Sequence, residues 1–224
     1  TNIEEKELLN ENRFFIGGDS HAANYAFGFK KAFPGKVSLF TIGNECGYLP
    51  KNDAIKNPLV NCLDYINLVD ELAESMGRND FLILGNDWQS TSIKRKSKDI
   101  ENAIRKLALK TTKNGAFFIL LDDVPDLGHP INSIKTWYRP FDSRAITKEQ
   151  VKRDQIKLDN IGNRLTKDLP NASYLSLRDE LCKPVVCSVL LDGEIIYFDK
   201  GHLTFKASEM LKDKITEFIK NIKN

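Results

Sequence analysis

No stretch of this 224-residue chain is apolar for long. The longest unbroken run, AFFILL at 116–121, falls far short of the roughly 18 residues a membrane-crossing helix needs. Nor does one sign of charge dominate. Lys and Arg number 33 against 31 Asp and Glu, a net charge of +2, so no global field selects nucleic acid or an anionic membrane as the main partner. Histidine is scarce, with three in all, and the four cysteines show no C-x-x-C spacing. A cysteine-rich metal site is therefore not expected. The cysteines fall instead into two local pairs, Cys46 with Cys62 and Cys182 with Cys187, an even count that hints at disulfides although four cysteines allow three connectivities. Two disulfides would place the protein in an oxidising compartment; four reduced thiols in a cytosolic protein are the alternative. The chain opens with Thr and carries no signal peptide, which suggests a processed protein or a domain cut from a longer one.

What the chain has is order. Five apolar segments of strand length recur: RFFIGG at 13–18, KVSLFTIG at 36–43, FLILG at 81–85, AFFILL at 116–121 and YLSL at 174–177. Most are continuous, as strands buried on both faces should be. Between them lie stretches of helical period. Tyr65, Leu68, Val69, Leu72 and Met76 share one stripe; Ile100, Ile104, Leu107 and Ala108 share another; Leu211, Ile215, Phe218, Ile219 and Ile222 make a last helix. Strand alternating with helix predicts a parallel sheet covered on both faces. The expected fold is thus a three-layer α/β/α sandwich around a mostly parallel five-stranded sheet. A single domain over 1–224 is expected, with residues 1–12 as a linker from an upstream segment.

Two regions break the alternation. Residues 124–149 hold three prolines and little periodicity, so they read as a long loop over the carboxyl edge of the sheet. The segment LCKPVVCSVLLDGEIIYFDKGH, 181–202, reads as a small Cys-bounded loop followed by a hairpin at Asp192-Gly193. The basic run KRKSK at 94–98 reads as a solvated helix start.

The chemistry-bearing residues gather at the predicted strand ends. Strand one stops at Gly17-Gly18-Asp19-Ser20, followed by His21. In an open α/β sheet, ligands bind outside the carboxyl ends of the strands, and the turn from the first strand into its helix is a prime position. There Ser20 would have exposed amides and the positive end of a helix dipole beside it. A plain N-cap at Asp19 or Ser20 is the structural alternative. A serine nucleophile needs a base. His21 is adjacent in sequence and so badly placed for it, and His129 lies in the long loop. His202 follows Asp199 by three residues, a spacing at which the carboxylate can accept one imidazole N–H and leave the other nitrogen free as base. Oxyanion donors are also needed; TIGNECG offers the amide of Gly43 or Gly47, and LILGNDW offers the side chain of Asn86.

These blocks, GDSHA at 18–22, Gly43, GND at 85–87 and DKGHLT at 199–204, resemble those of the SGNH (GDSL-like) hydrolases. They are most similar to the SGNH domain fused to the carboxyl end of membrane-bound acyltransferase-3 proteins that O-acylate cell-surface glycans. The resemblance implies Ser20 as nucleophile, His202 as base and Asp199 as the acid that orients it. It implies an oxyanion hole of the Ser20 and Gly43 amides and the Asn86 side chain. The third block here is G-N-D followed by Trp88, where the family pattern is G-x-N-D.

By resemblance, the expected function is transfer of an acyl group, acetyl above all, to a polysaccharide hydroxyl through an acyl-serine. No cofactor is expected beyond an acyl donor such as acetyl-CoA, used by or relayed through an upstream transmembrane acyltransferase. The expected partners are that domain, the donor and a glycan acceptor, with no nucleic acid and no metal. The expected location is extracytoplasmic, tethered to the inner membrane. A carbohydrate O-acetylesterase with the same triad, or a non-catalytic glycan-binding domain, are the competing expectations. Trp88, His129, Trp137 and Tyr138 are candidate substrate contacts, the last two, with Arg139, as a sugar-stacking platform.

Overall fold

The computed structural model of the chain describes residues 12–42, 47–48, 50–54, 62–89, 93–128 and 145–223. The first strand, β1, Arg13–Gly18, runs into helix α1, Ser20–Ala32. Then come β2, Val37–Thr41, the short α2, Lys51–Ala54, and α3, Cys62–Ser75. Strand β3, Asp80–Gly85, α4, Ile93–Thr112, and β4, Phe117–Leu121, follow. Two-residue β5, Ile146–Thr147, leads into α5, Lys148–Asp168, and β6, Ala172–Leu175. The last third holds a 3-10 turn at Arg178–Leu181, the short strands β7, Val186–Cys187, β8, Leu190–Leu191, and β9, Glu194–Ile195, and helices α6, Phe205–Met210, and α7, Lys212–Lys223.

The main sheet has the order β2-β1-β3-β4-β6, with every neighbouring pair parallel. Each central strand sends alternate residues to opposite faces. Phe81 and Ile83 of β3 join Phe14 and Ile16 of β1 in a core under α1, α6 and α7, while Leu82 and Leu84 join Phe118 and Leu120 in a second core under α3, α4 and α5. Both faces are therefore dry. This is why the strands read as unbroken apolar runs instead of alternating ones.

Three local expectations need correction. Residues 146–149 of the predicted long loop form β5 and the start of α5, a 21-residue helix with no counterpart in the sequence reading. Its buried stripe is interrupted by Gln155, Asp159 and Gly162, which hides the apolar period, although Thr147 accepts from the Gln150 N–H as an ordinary N-cap. In α3 the stripe is rotated: Leu68 is half exposed, and Ile66 and Ala73 lie in the core instead. The last helix begins earlier than its apolar stripe suggests, as α6 and α7 joined at buried Leu211. Asp192 and Gly193 both take positive φ, 49° and 83°, the backbone a two-residue hairpin turn demands, and β8 pairs antiparallel with β9 across them. Cys182 and Cys187 are disulfide-bonded. Cys62 is in a disulfide as well, and its expected partner, Cys46, lies outside the described residues.

Candidate active site

Four segments meet at the carboxyl rim of the sheet: the β1–α1 junction, the ends of β3 and β4, and the turn before α6. Gly18 closes β1 in register with Gly85 of β3. It has φ +138°, and a Cβ there would sit 1.5 Å from the Gly85 carbonyl oxygen. Only glycine lets the two strand ends touch and the chain turn at once. The Gly18 N–H donates to the Tyr65 hydroxyl.

The next residue joins two strand ends. The Asp19 carboxylate accepts from the His21 N–H at 2.9 Å, capping α1, and from the Asp87 N–H at 3.0 and 2.8 Å. Burial pushes its proton affinity up against those donors. Ser20 is thereby fixed as the first residue of α1, exposed to solvent, with its own N–H at the helix N-terminus.

The partner comes from the far end of the chain. His202 Nε2 lies 2.9 Å from Ser20 Oγ. His202 Nδ1 lies 2.7 and 2.9 Å from the two carboxylate oxygens of Asp199. Asp199 also accepts from the Gly201 and His202 backbone N–H groups, at 2.9 and 2.8 Å. Its partial burial works against ionisation, but these donors outweigh it and hold the carboxyl below the ordinary range. The turn is closed by the Phe198 N–H donating to the His202 carbonyl, 2.7 Å. Asn24 on α1 fastens it: Nδ2 donates to the Gly201 carbonyl at 3.1 Å and Oδ1 accepts from the Leu203 N–H at 2.9 Å. Nothing in the sequence marked Asn24. It sits one helical turn after Ser20, so the helix that carries the hydroxyl also holds the imidazole.

A cleft of about 600 Å³ opens beside Ser20 and His202, with Phe27, Phe198, Leu203 and Phe205 among its walls. Phe198 and Phe205 are about 70% exposed, and the Phe27 and Phe205 rings lie 4.2 Å apart.

The third block behaves differently from its motif reading. Asn86 is buried, and its carboxamide is bonded end to end with the Tyr48 backbone, accepting from the N–H and donating to the carbonyl at 3.2 Å each. Gly47 packs directly on it; a Cβ there would lie 2.3 Å from Asn86 Oδ1. Trp88 is not a substrate contact: it is 2% exposed in the core, and its indole N–H donates to the Leu121 carbonyl at 3.2 Å. Gly43, His129, Trp137, Tyr138 and Arg139 lie outside the described residues.

The sequence reading also passed over an acidic pair at the end of β4. Asp122, fully buried, accepts from Tyr25, Ser176 and the Leu177 and Arg178 N–H groups. Asp123, also fully buried, lies 2.6 Å from His21 Nδ1 and accepts from the Gln89 N–H. Burial lowers the proton affinity of His21, but the Asp123 hydrogen bond and the charges of Asp123, Asp87 and Asp19 overcome it, pushing the imidazole up to about 9. Burial pushes Asp123 up to about 6. Between those values the two form an ion pair. With Asp87, they also offer three ligand atoms within 4.8 Å of one another, but the 2.6 Å contact is a charge-assisted hydrogen bond.

The fold and this rim define an SGNH-type α/β domain. The family model for the SGNH domain fused to AT3 domains matches residues 2–217, so the chain belongs to that family. A comparison with curated proteins finds no match. Among solved structures, the chain is similar to the periplasmic domain of a lipopolysaccharide acetyltransferase of Salmonella ser. Paratyphi A. There the TM-score is 0.67 at 18% identity, over 98% of this chain and 89% of that one. It is also similar to SsfX3, a salicylyl-acyltransferase from a tetracycline biosynthetic pathway, with TM-score 0.50, 11% identity and 95% and 55% of the two chains covered. A putative platelet activating factor protein of Streptococcus pneumonia gives TM-score 0.51 at 12% identity over 96% and 89%. At these identities the likenesses establish the shared fold.

Proposed function

We propose that the chain is the O-acyltransferase domain of a membrane-linked acyltransferase, acting on a hydroxyl of a cell-surface polysaccharide by way of an acyl-serine. The observation that carries the reading is the 2.9 Å contact between His202 Nε2 and Ser20 Oγ, with Asp199 behind Nδ1. As Ser20 Oγ attacks the acyl carbonyl, His202 Nε2 takes the hydroxyl proton. Asp199 holds the Nδ1 proton in place and stabilises the imidazolium that forms. The Ser20 N–H at the start of α1 is the donor the oxyanion meets first, and the family motif adds the Gly43 amide and the Asn86 side chain as further candidate donors. Collapse expels the donor's leaving group, which takes the proton from His202, and leaves an ester on Ser20. A sugar hydroxyl then attacks that ester and gives its proton to His202; collapse breaks the bond between Ser20 Oγ and the acyl carbon, Oγ takes the proton back from His202, and the sugar departs acylated.

The wider assignment draws on the family, whose SGNH domain is fused to AT3 domains, and on the likeness to an acetyltransferase domain that is periplasmic and whose name gives lipopolysaccharide. On that basis the acyl group is acetyl, the acceptor is a polysaccharide such as lipopolysaccharide, and the domain faces the periplasm beside a covalently linked transmembrane acyltransferase. No helix among the described residues is long and apolar enough to cross a membrane. The apolar cleft beside Ser20 gives the acyl group and one face of a sugar ring a place to lie.

The test is turnover of an aryl acetate, with fluorophosphonate labelling of Ser20. Both should vanish in Ser20→Ala, and turnover should fall by about 10³-fold or more in His202→Ala. Turnover that persists in both variants sinks the mechanism. Incubation with acyl donor and oligosaccharides, read by mass spectrometry, should give acylated sugar; release of free acid alone across many acceptors would make the domain an esterase.

A further inference from the structure

His21 is the second imidazole of the rim, and the acyl-transfer scheme does not use it. Its ring lies 5.0 Å from that of His202 at an interplanar angle of 64°, edge to face. It also lies against the turn that carries the base. A Cβ on Gly201 would stand 3.3 Å from His21 Cε1, so the turn lies directly against the ring. On its other side, His21 is fixed to the buried Asp123 through Nδ1 at 2.6 Å. Its backbone N–H is fixed to Asp19.

We propose that His21 is a positioning residue for the proposed reaction: clamped by Asp123, its ring is the surface on which the 199–202 turn rests, holding His202 within hydrogen-bonding reach of Ser20. The inference rests on the acyl-serine reading for its consequence in rate, but the contact itself can be read without turnover. The clamp joins three separate pieces of the chain, the start of α1, the end of β4 and the turn before α6. Asn24 fastens the backbone of that turn; His21 packs against the imidazole itself.

Two double variants separate the contributions without leaving Asp123 buried and unpaired. His21→Ala with Asp123→Asn removes both the ring and the charge. His21→Phe with Asp123→Asn keeps a ring against Gly201 and removes the charge. With an aryl acetate, the alanine pair should lose about tenfold in kcat with KM within twofold, a modest loss because Asn24 still holds the backbone. The phenylalanine pair should recover most of that loss. NMR should show nuclear Overhauser contacts between the His202 ring and the Ser20 β-protons in wild type and in the phenylalanine pair, weakened in the alanine pair. That measurement needs no turnover, so failure of the acyl-transfer reading, seen as wild-type activity that survives Ser20→Ala, is distinguished from failure of this one. Should the alanine pair not fold, His21→Leu with Asp123→Asn takes its place as the variant without a ring. A ringless pair that keeps wild-type kcat and the Ser20–His202 contacts, or a phenylalanine pair that loses as much as the ringless one, would overturn the proposal.

Discussion

The His21–Asp123 pair makes stability depend on pH in a definite direction. In the unfolded chain His21 has the ordinary histidine value of 6.5, and in the fold it is pushed up to about 9. A group whose proton is held more tightly in the folded state stabilises that state fully below the unfolded value, and the contribution is lost as pH rises through the folded one. The window is therefore pH 6.5 to about 9, and at about 1.4 kcal/mol per pH unit the loss across it is about 3 kcal/mol. Asp123, pushed up to about 6, completes most of its ionisation below that window and adds little to the slope. The perturbation is the His21→Phe, Asp123→Asn pair, in which neither group titrates. The assay is urea unfolding of both chains at pH 6.5, 8 and 9.5. Any other group that titrates in this range is common to both chains and cancels in the difference. Wild type should lose about 3 kcal/mol relative to the variant between the first and last pH. A difference that stays flat, or that grows in favour of wild type, would refute the ion pair.

Two further substitutions probe the rim. Gly18→Ala places a methyl 1.5 Å from the Gly85 carbonyl oxygen, at φ +138°, and should cost about 4 kcal/mol or more because β1 and β3 must part where they meet; denaturant midpoints within about 1 kcal/mol of wild type would contradict the packing described. Asp122→Ala leaves Tyr25, Ser176 and the Leu177 and Arg178 N–H groups without their common acceptor and should cost about 3–5 kcal/mol, with Asp122→Asn costing clearly less; equal losses in the two would show that the acceptor oxygens do not matter.

The three central strands were legible because they are largely buried on both faces, and solvent exclusion writes itself into the sequence as unbroken apolar runs; they and the more exposed edge strands β2 and β6 were all placed within two residues of their true positions. The helix over Lys148–Asp168 was not, because its inner face is spent on Gln155 and Asp159. Gln155 Nε2 donates to the Asp123 carbonyl, while Asp159 pairs with Tyr174 and Arg178. Polar groups facing inward look like solvated ones until their partners are known. Trp88 misled for the opposite reason. An aromatic at a strand end resembles a binding residue, yet the end of β4 supplies the carbonyl that satisfies its N–H.

The sequence alone determined the order of the five sheet strands along the chain, the glycine-rich end of the first strand, and the pairing of Asp199 with His202, since a carboxylate three residues ahead of an imidazole on a tight turn lies within its reach. Only the tertiary structure decided that this imidazole meets Ser20, 182 residues away, and that His21 belongs to Asp123 at the end of another strand. Such meetings depend on strand order and on which face each crossover covers. Both are settled by burying two apolar cores at once, and no local window of residues encodes that choice.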